Sequence, residues 1–120
     1  MVHTAGLICT SEALQEGGDG IRFDWEGPQG RCPAFVVRHA GVPRAYVNRC
    51  AHIAVELDLV TGQFFDLTGH YLVCAMHGAH YEAASGVCEL GPCKGARLEP
   101  VPVEERDGGV YWLPALPVTA

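Results

Sequence analysis

Apolar residues in this chain come in short bursts separated by glycine and proline, the rhythm of strands joined by tight turns. Residues 4–10 read as a first strand. Residues 11–33 are rich in glycine and acids, carry Pro28 and Pro33, and read as a loop holding a weak strand near Ile21–Trp25. Ala34–Arg38 and Ala45–Asn48 are β-rich runs flanking His-Ala-Gly-Val-Pro, a pattern that predicts a hairpin. Val55, Leu57 and Leu59 then alternate with acids, and Gln63-Phe64-Phe65-Asp66 follows a glycine, so the stretch from Ile53 to Thr68 is mixed. Tyr71-Leu72-Val73 predicts a short strand, and residues 79–88 predict two more joined at Ser85-Gly86. Arg97–Glu105 and Val110–Leu113 predict a closing hairpin around Asp107-Gly108-Gly109. No run of ten residues has helical periodicity, and there is no repeat or low-complexity segment. The expected fold class is all-β.

Composition narrows this further. A length of 120 residues suits one domain, and 48% hydrophobic residues supply a core and argue against disorder. No apolar run is long enough for a membrane span, and the start lacks the basic flank and long apolar stretch of a signal peptide. A soluble cytoplasmic protein is expected, with no membrane partner. The net charge is −6, and between Cys50 and Cys93 there are five acids (Glu56, Asp58, Asp66, Glu82, Glu89) but no lysine or arginine. Without a basic patch to neutralise phosphates, nucleic-acid binding is not expected. The acids read either as a solvated face or as a field that steers a positively charged partner. Six cysteines without a secretion signal point to metal ligands or buried thiols rather than a disulfide framework.

The chemistry concentrates in two short motifs. Cys50-Ala51-His52 is followed, after 21 residues, by Cys74-Ala75-Met76-His77. Each begins where a predicted strand ends, so each is a loop held by a rigid scaffold. Each offers one thiolate and one imidazole, a set that suits a two-iron cluster with two cysteines on one iron and two histidines on the other. Two thiolates and two neutral imidazoles leave an oxidised cluster neutral, whereas four thiolates leave it anionic. An electron is added more readily to the neutral site, which lifts its potential to roughly −150 to +300 mV against about −400 mV for plant-type ferredoxins. A structural zinc on the same four ligands is the alternative, although zinc sites generally use longer histidine spacing.

At these residues the chain resembles the Rieske [2Fe–2S] proteins. Cys74-Ala-Met-His77-Gly78-Ala79-His80-Tyr81-Glu82, then Ser85-Gly86, is similar to the family's second cluster loop, and Gly91-Pro92-Cys93 to its proline loop. The resemblance implies an antiparallel β sandwich or barrel as base domain, residues 1–49 and 94–120, with a cluster-binding subdomain at about 50–93. It implies Cys50 and Cys74 on the buried iron and His52 and His77 on the exposed one. Tyr81 would donate to a cysteine sulfur. Gly78 and Gly91 either bring backbone amides toward the sulfides or serve as plain turn glycines. Respiratory and photosynthetic members carry a further disulfide between the cluster loops, and here those positions are Val55 and Met76. Their serine hydroxyl on a bridging sulfide is replaced by Ala79. The pattern is most similar to the soluble ferredoxins of bacterial aromatic-ring dioxygenases, with the small subunit of nitrite reductases as the alternative. The implied role is a one-electron carrier between a flavin reductase and a terminal oxygenase. At 120 residues there is no room for the oxygenase's own mononuclear iron domain, so a carrier or small subunit rather than the oxygenase itself is expected.

The remaining candidates have ordinary readings. Cys9, Cys32, Cys88 and Cys93 could make a second four-thiolate site, but small buried thiols are commoner. His80 reads as a surface residue or the maker of one hydrogen bond, and His3, His39 and His70 as surface residues. Trp25, Trp112, Phe35, Phe64 and Phe65 read as packing residues.

Overall fold

A computed structural model describes residues 6–28, 30–51, 55–76, 78–91 and 93–113. Among them the strands are β1 (Gly6–Thr10), β2 (Ile21–Gly27), β3 (Gly30–His39), β4 (Val42–Val47), β5 (Tyr71–Val73), β6 (His80–Glu82), β7 (Cys88–Leu90), β8 (Val103–Arg106) and β9 (Gly109–Trp112). They form three antiparallel sheets of order β1-β9-β8, β2-β3-β4 and β5-β6-β7. The described residues contain one 3-10 turn, Ser11–Ala13, and no α-helix. The all-β expectation holds.

The weak strand expected near Ile21–Trp25 is a full one. Ile21, Phe23 and Trp25 alternate with Arg22, Asp24 and Glu26, which puts the apolar set on one face. It pairs with β3 in unbroken register from Ile21↔Val36 to Gly27↔Gly30. Pro33 stands inside β3 despite having no N–H. Its carbonyl accepts the Asn48 N–H at 2.9 Å. The N and C=O of an extended residue face the same side, so the missing donor points past the end of the β4 ladder, which begins at Ala34↔Val47. The closing hairpin forms as expected, with Asp107 and Gly108 both at positive φ in its two-residue turn. Its first arm is shorter than expected and starts at Val103. Arg97 and Pro100 contribute only isolated bridges, to Val87 and Tyr46.

Two cores lie on opposite sides of β3. Phe35 and Val37 point into one, with Tyr46, Leu57, Phe64, Leu72, Tyr81 and Leu98. Ala34 and Val36 point into the other, with Leu14, Trp25, Ala45, Val47, Val101 and Val110. A strand buried on both faces reads as a continuous apolar run, which is what residues 34–37 are. The aromatic residues are packing residues, as expected: Phe35 and Phe64 stack with ring centroids 3.9 Å apart. The Trp25 indole N–H donates to the Leu113 carbonyl at 2.8 Å.

Arg38 locks the sheets together at the end of β3. Its guanidinium donates to both Glu105 oxygens, at 3.0 and 2.6 Å, and to the Leu14 carbonyl at 2.7 Å. The Arg38 hydrogen bonds pull the Glu105 carboxyl down to about 2, from an ordinary value of 4.5. A depressed folded-state value stabilises the fold above the unfolded value and loses that contribution as the carboxylate protonates. We therefore expect the urea midpoint to fall as pH drops from 4.5 toward 2, and to fall less steeply in Glu105→Gln, which starts from lower stability at neutral pH. Parallel slopes for the two proteins would contradict this.

Candidate metal centre

Both sequence motifs sit at strand ends and are headed by buried cysteines, Cys50 after β4 and Cys74 after β5. His52, His77 and Pro92 lie outside the described residues. The two loops are closed by the same device. The Cys50 N–H donates to the Val55 carbonyl at 2.8 Å, and the Cys74 N–H donates to the Ala79 carbonyl at 2.9 Å. Each cysteine thus heads a turn that returns five residues later. The loops are also tied to each other, because the Ala75 N–H donates to the Leu57 carbonyl at 3.0 Å.

A polar anchor holds the first loop's return. The Asn48 side chain accepts from the Leu57 N–H at 2.9 Å and donates to Asp58 at 3.0 Å. The other Asp58 oxygen accepts from the Gly62 N–H at 2.9 Å. Asp58 is buried with a donor on each carboxylate oxygen and the Arg22 guanidinium 3.7 Å away, which is how a buried carboxylate is tolerated. Nothing in the sequence marked Asn48 and Asp58, apart from an amide two residues before Cys50 and an acid inside an apolar alternation.

Tyr81 lies beneath the first cysteine. Its hydroxyl is 3.3 Å from the Cys50 sulfur and also 3.3 Å from the Cys93 sulfur. It accepts the Ala51 N–H at 2.9 Å. Burial first, then the two sulfur neighbours, hold the phenol well above its ordinary range, so it stays a neutral hydroxyl. The Cys93 sulfur is 3.0 Å from that of Cys88, and the Cys88 thiol faces the Leu90 carbonyl at 3.3 Å. Cys88 and Cys93 are therefore buried thiols, as expected, but they are brought together. Cys9 and Cys32 pack against the other core, so the four do not form one site.

Gly91 and Gly78 differ in role. Gly91 has φ +107, and a Cβ there would meet the Ala79 Cα at 2.9 Å, so glycine lets the proline loop lie against the second cluster loop. Gly78, at φ +71, gives its N–H to the Cys74 carbonyl at 2.8 Å. The His80 ring makes one hydrogen bond, with the Gly78 carbonyl at 2.8 Å. Of the five acids in this segment, Glu56 pairs with Arg22, Asp58 is buried, Asp66 accepts from the Thr68 hydroxyl, and Glu82 accepts from Ser85. Glu56, Glu82 and Glu89 are exposed, and of the five only Asp58 is buried. Exposed apolar side chains, Met76 and Leu90, stand in the second loop and beside the proline loop.

The arrangement defines an antiparallel β domain in which two cysteine-headed segments are tied to one another and share one apolar core with Ala79. Two buried sulfur donors in an apolar core fit an iron–sulfur group. The family model for the Rieske [2Fe–2S] domain matches residues 5–115, and the chain belongs to that family. It carries a Rieske-type [2Fe–2S] cluster and serves electron transfer, which sets the zinc alternative aside. Among solved structures, the ferredoxin of carbazole 1,9a-dioxygenase from Nocardioides aromaticivorans IC177 is similar, with TM-score 0.72 and 20% identity over 93% of this chain and 99% of that one. A chain in a fluorene-bound oxygenase and ferredoxin complex of the same dioxygenase aligns with TM-score 0.75 and 20% identity over 96% of this chain, which spans only 30% of that one. A further chain, from the complex of reduced oxygenase and oxidised ferredoxin, gives TM-score 0.71 and 21% identity over 98% of this chain and 100% of that one. At such identities these likenesses speak for the fold. No curated protein matches. No helix among the described residues is long and apolar enough to cross a membrane.

Proposed function

We propose that the protein is a Rieske-type ferredoxin, passing single electrons from a flavin reductase to a terminal oxygenase. Cys50 and Cys74 would hold one iron, and His52 and His77 the other. When bound, the group supplies a reversible one-electron store at a potential set by its mixed ligands. The observation that carries this reading is the pair of matching turns, Cys50 to Val55 and Cys74 to Ala79, joined through Ala75 and Leu57. The chain's own part is to hold two soft donors in a dry pocket, to place the Tyr81 hydroxyl on the Cys50 sulfur, and to leave an apolar rim, Met76 and Leu90, for a partner. The partner assignment draws support from the ferredoxin and oxygenase complexes of similar fold. Residues 1–49 and 94–120 act as base, and about 50–93 as the cluster-binding part. A thiol-rich domain suits the reducing cytoplasm.

The test is electron paramagnetic resonance on the dithionite-reduced protein, with iron and sulfide analysis. We expect two irons per chain and a low average g value, lost in His52→Ala and His77→Ala. A signal with the higher average g of all-cysteine ligation would overturn the ligand assignment. A second reading, a relay domain within a larger oxidoreductase, draws on the likeness to chains of which this one spans only about 30%. Co-purification with a much larger chain would favour it. Reduction of a purified oxygenase by the isolated protein would favour the carrier.

A further inference from the structure

We propose that Cys88 and Cys93 are a reversible disulfide-forming site, and that closing it commits the Tyr81 hydroxyl to Cys50. The second half rests on reading Cys50 as a cluster ligand. The first stands on its own geometry. The two sulfurs lie 3.0 Å apart, closer than unbonded sulfur atoms ordinarily sit and about 1 Å from bonding distance. The backbone at each cysteine is already held. The Cys88 N–H donates to the Ala96 carbonyl at 2.7 Å, and Gly95 and Ala96 donate back to Cys88 and Cys93 at 3.0 and 2.8 Å. Little ordering remains for the bond to impose. Cys93 is the more accessible of the two, 8% against 1% exposed, and is the sulfur an oxidant meets first.

The oxidant is a low-molecular-weight disulfide. The Cys93 thiolate attacks one of its sulfurs, a mixed disulfide forms, and one small thiol leaves with a proton. The Cys88 sulfur then attacks the Cys93 sulfur, the mixed disulfide breaks, and a second small thiol leaves with the second proton. Two electrons pass from the protein dithiol to the small disulfide. The cluster takes no part. Burial, with Cys93 alongside, pushes the Cys88 thiol up to about 11, so the second step runs faster as pH rises through the neutral range.

The consequence reaches Cys50 through one proton. The Tyr81 hydroxyl has a single hydrogen and two sulfurs at 3.3 Å, while its oxygen is engaged by the Ala51 N–H. With Cys93 as a thiol, its sulfur competes with that of Cys50 for this hydrogen. A disulfide sulfur is a poorer acceptor, so closing the bond leaves Cys50 as its destination. A hydrogen bond to a ligand sulfur favours the reduced, more anionic cluster and raises the potential.

The test incubates the cluster-loaded protein with oxidised glutathione, without oxygen, at pH 7 and pH 8.5. Intact mass should fall by two hydrogens, a peptide map should join residues 88 and 93, and dithiothreitol should reverse both. Cys88→Ser should instead trap a glutathione adduct on Cys93. The potential of the disulfide form should lie above that of the dithiol form, and Tyr81→Phe should abolish the difference. Absence of the Cys88–Cys93 link in the wild-type protein would overturn the site, whatever the variants do. A link that leaves the potential unmoved would overturn the coupling to Cys50. If Cys50 were not a ligand, the link would still form, and Cys50→Ser would keep its iron.

Discussion

Cys74→Ser should purify colourless and without iron, although its hydroxyl nearly matches the thiol in shape. Cys74 is fully buried, and its amide is bound to Ala79 whatever the side chain. The substitution therefore changes the donor and little else. A serine oxygen is a hard donor with a very high pKa, and deprotonating it in a dry pocket is far costlier than forming a thiolate. The expected loss of cluster is tenfold or more, read as iron per chain and as visible absorption. The urea midpoint of the apo form should stay close to that of the apo wild type. A Cys74→Ser protein with full iron content would remove Cys74 from the ligand set.

The second large effect lies away from the cysteines. Phe64→Ala should destabilise the fold by about 3–5 kcal/mol, the usual cost of emptying a buried aromatic site. For a domain of this size that is a fall in Tm of roughly 10–20 °C. Phe64 is 1% exposed, stacked on Phe35, and its carbonyl accepts the Val73 N–H at 2.8 Å. It fastens the segment between the two motifs to β3 on one side and β5 on the other. Phe64→Leu, which keeps most of the volume, should fall by less than half as much. Scanning calorimetry on the three proteins decides it, and equal Tm values for wild type and Phe64→Ala would contradict the packing described.

Much of this architecture was readable in the residues, and the failures have physical causes. The two Cys/His motifs stand out and the strands before them were legible because Cys-x-His and Cys-x-x-His after β-rich runs are rare combinations, and turns such as Asp107-Gly108 name their own geometry. The strand at Ile21–Gly27 was undervalued because glycines and two prolines frame it. Pro33 is tolerated only because its missing donor faces beyond the neighbouring ladder, a matter of register. The stretch from 97 to 105 was overextended because Pro100 and Pro102 break the donor series that a strand needs. Phe64 and Asp58 looked like parts of an indistinct connection, since their partners are more than ten residues away or depend on Asn48. The meeting of Cys88 and Cys93 was equally hidden. Five residues of spacing place two thiols together only when the loop folds back through Gly95 and Ala96, which spacing does not reveal.

Sharing β3 between two interiors has a thermodynamic result. Its odd and even residues are committed to opposite compartments, so neither can melt while the other survives. Heat should meet a single all-or-none transition rather than a sequence of partial losses. The walls around the redox site thus borrow their rigidity from a hydrophobic mass on the far side of the same strand.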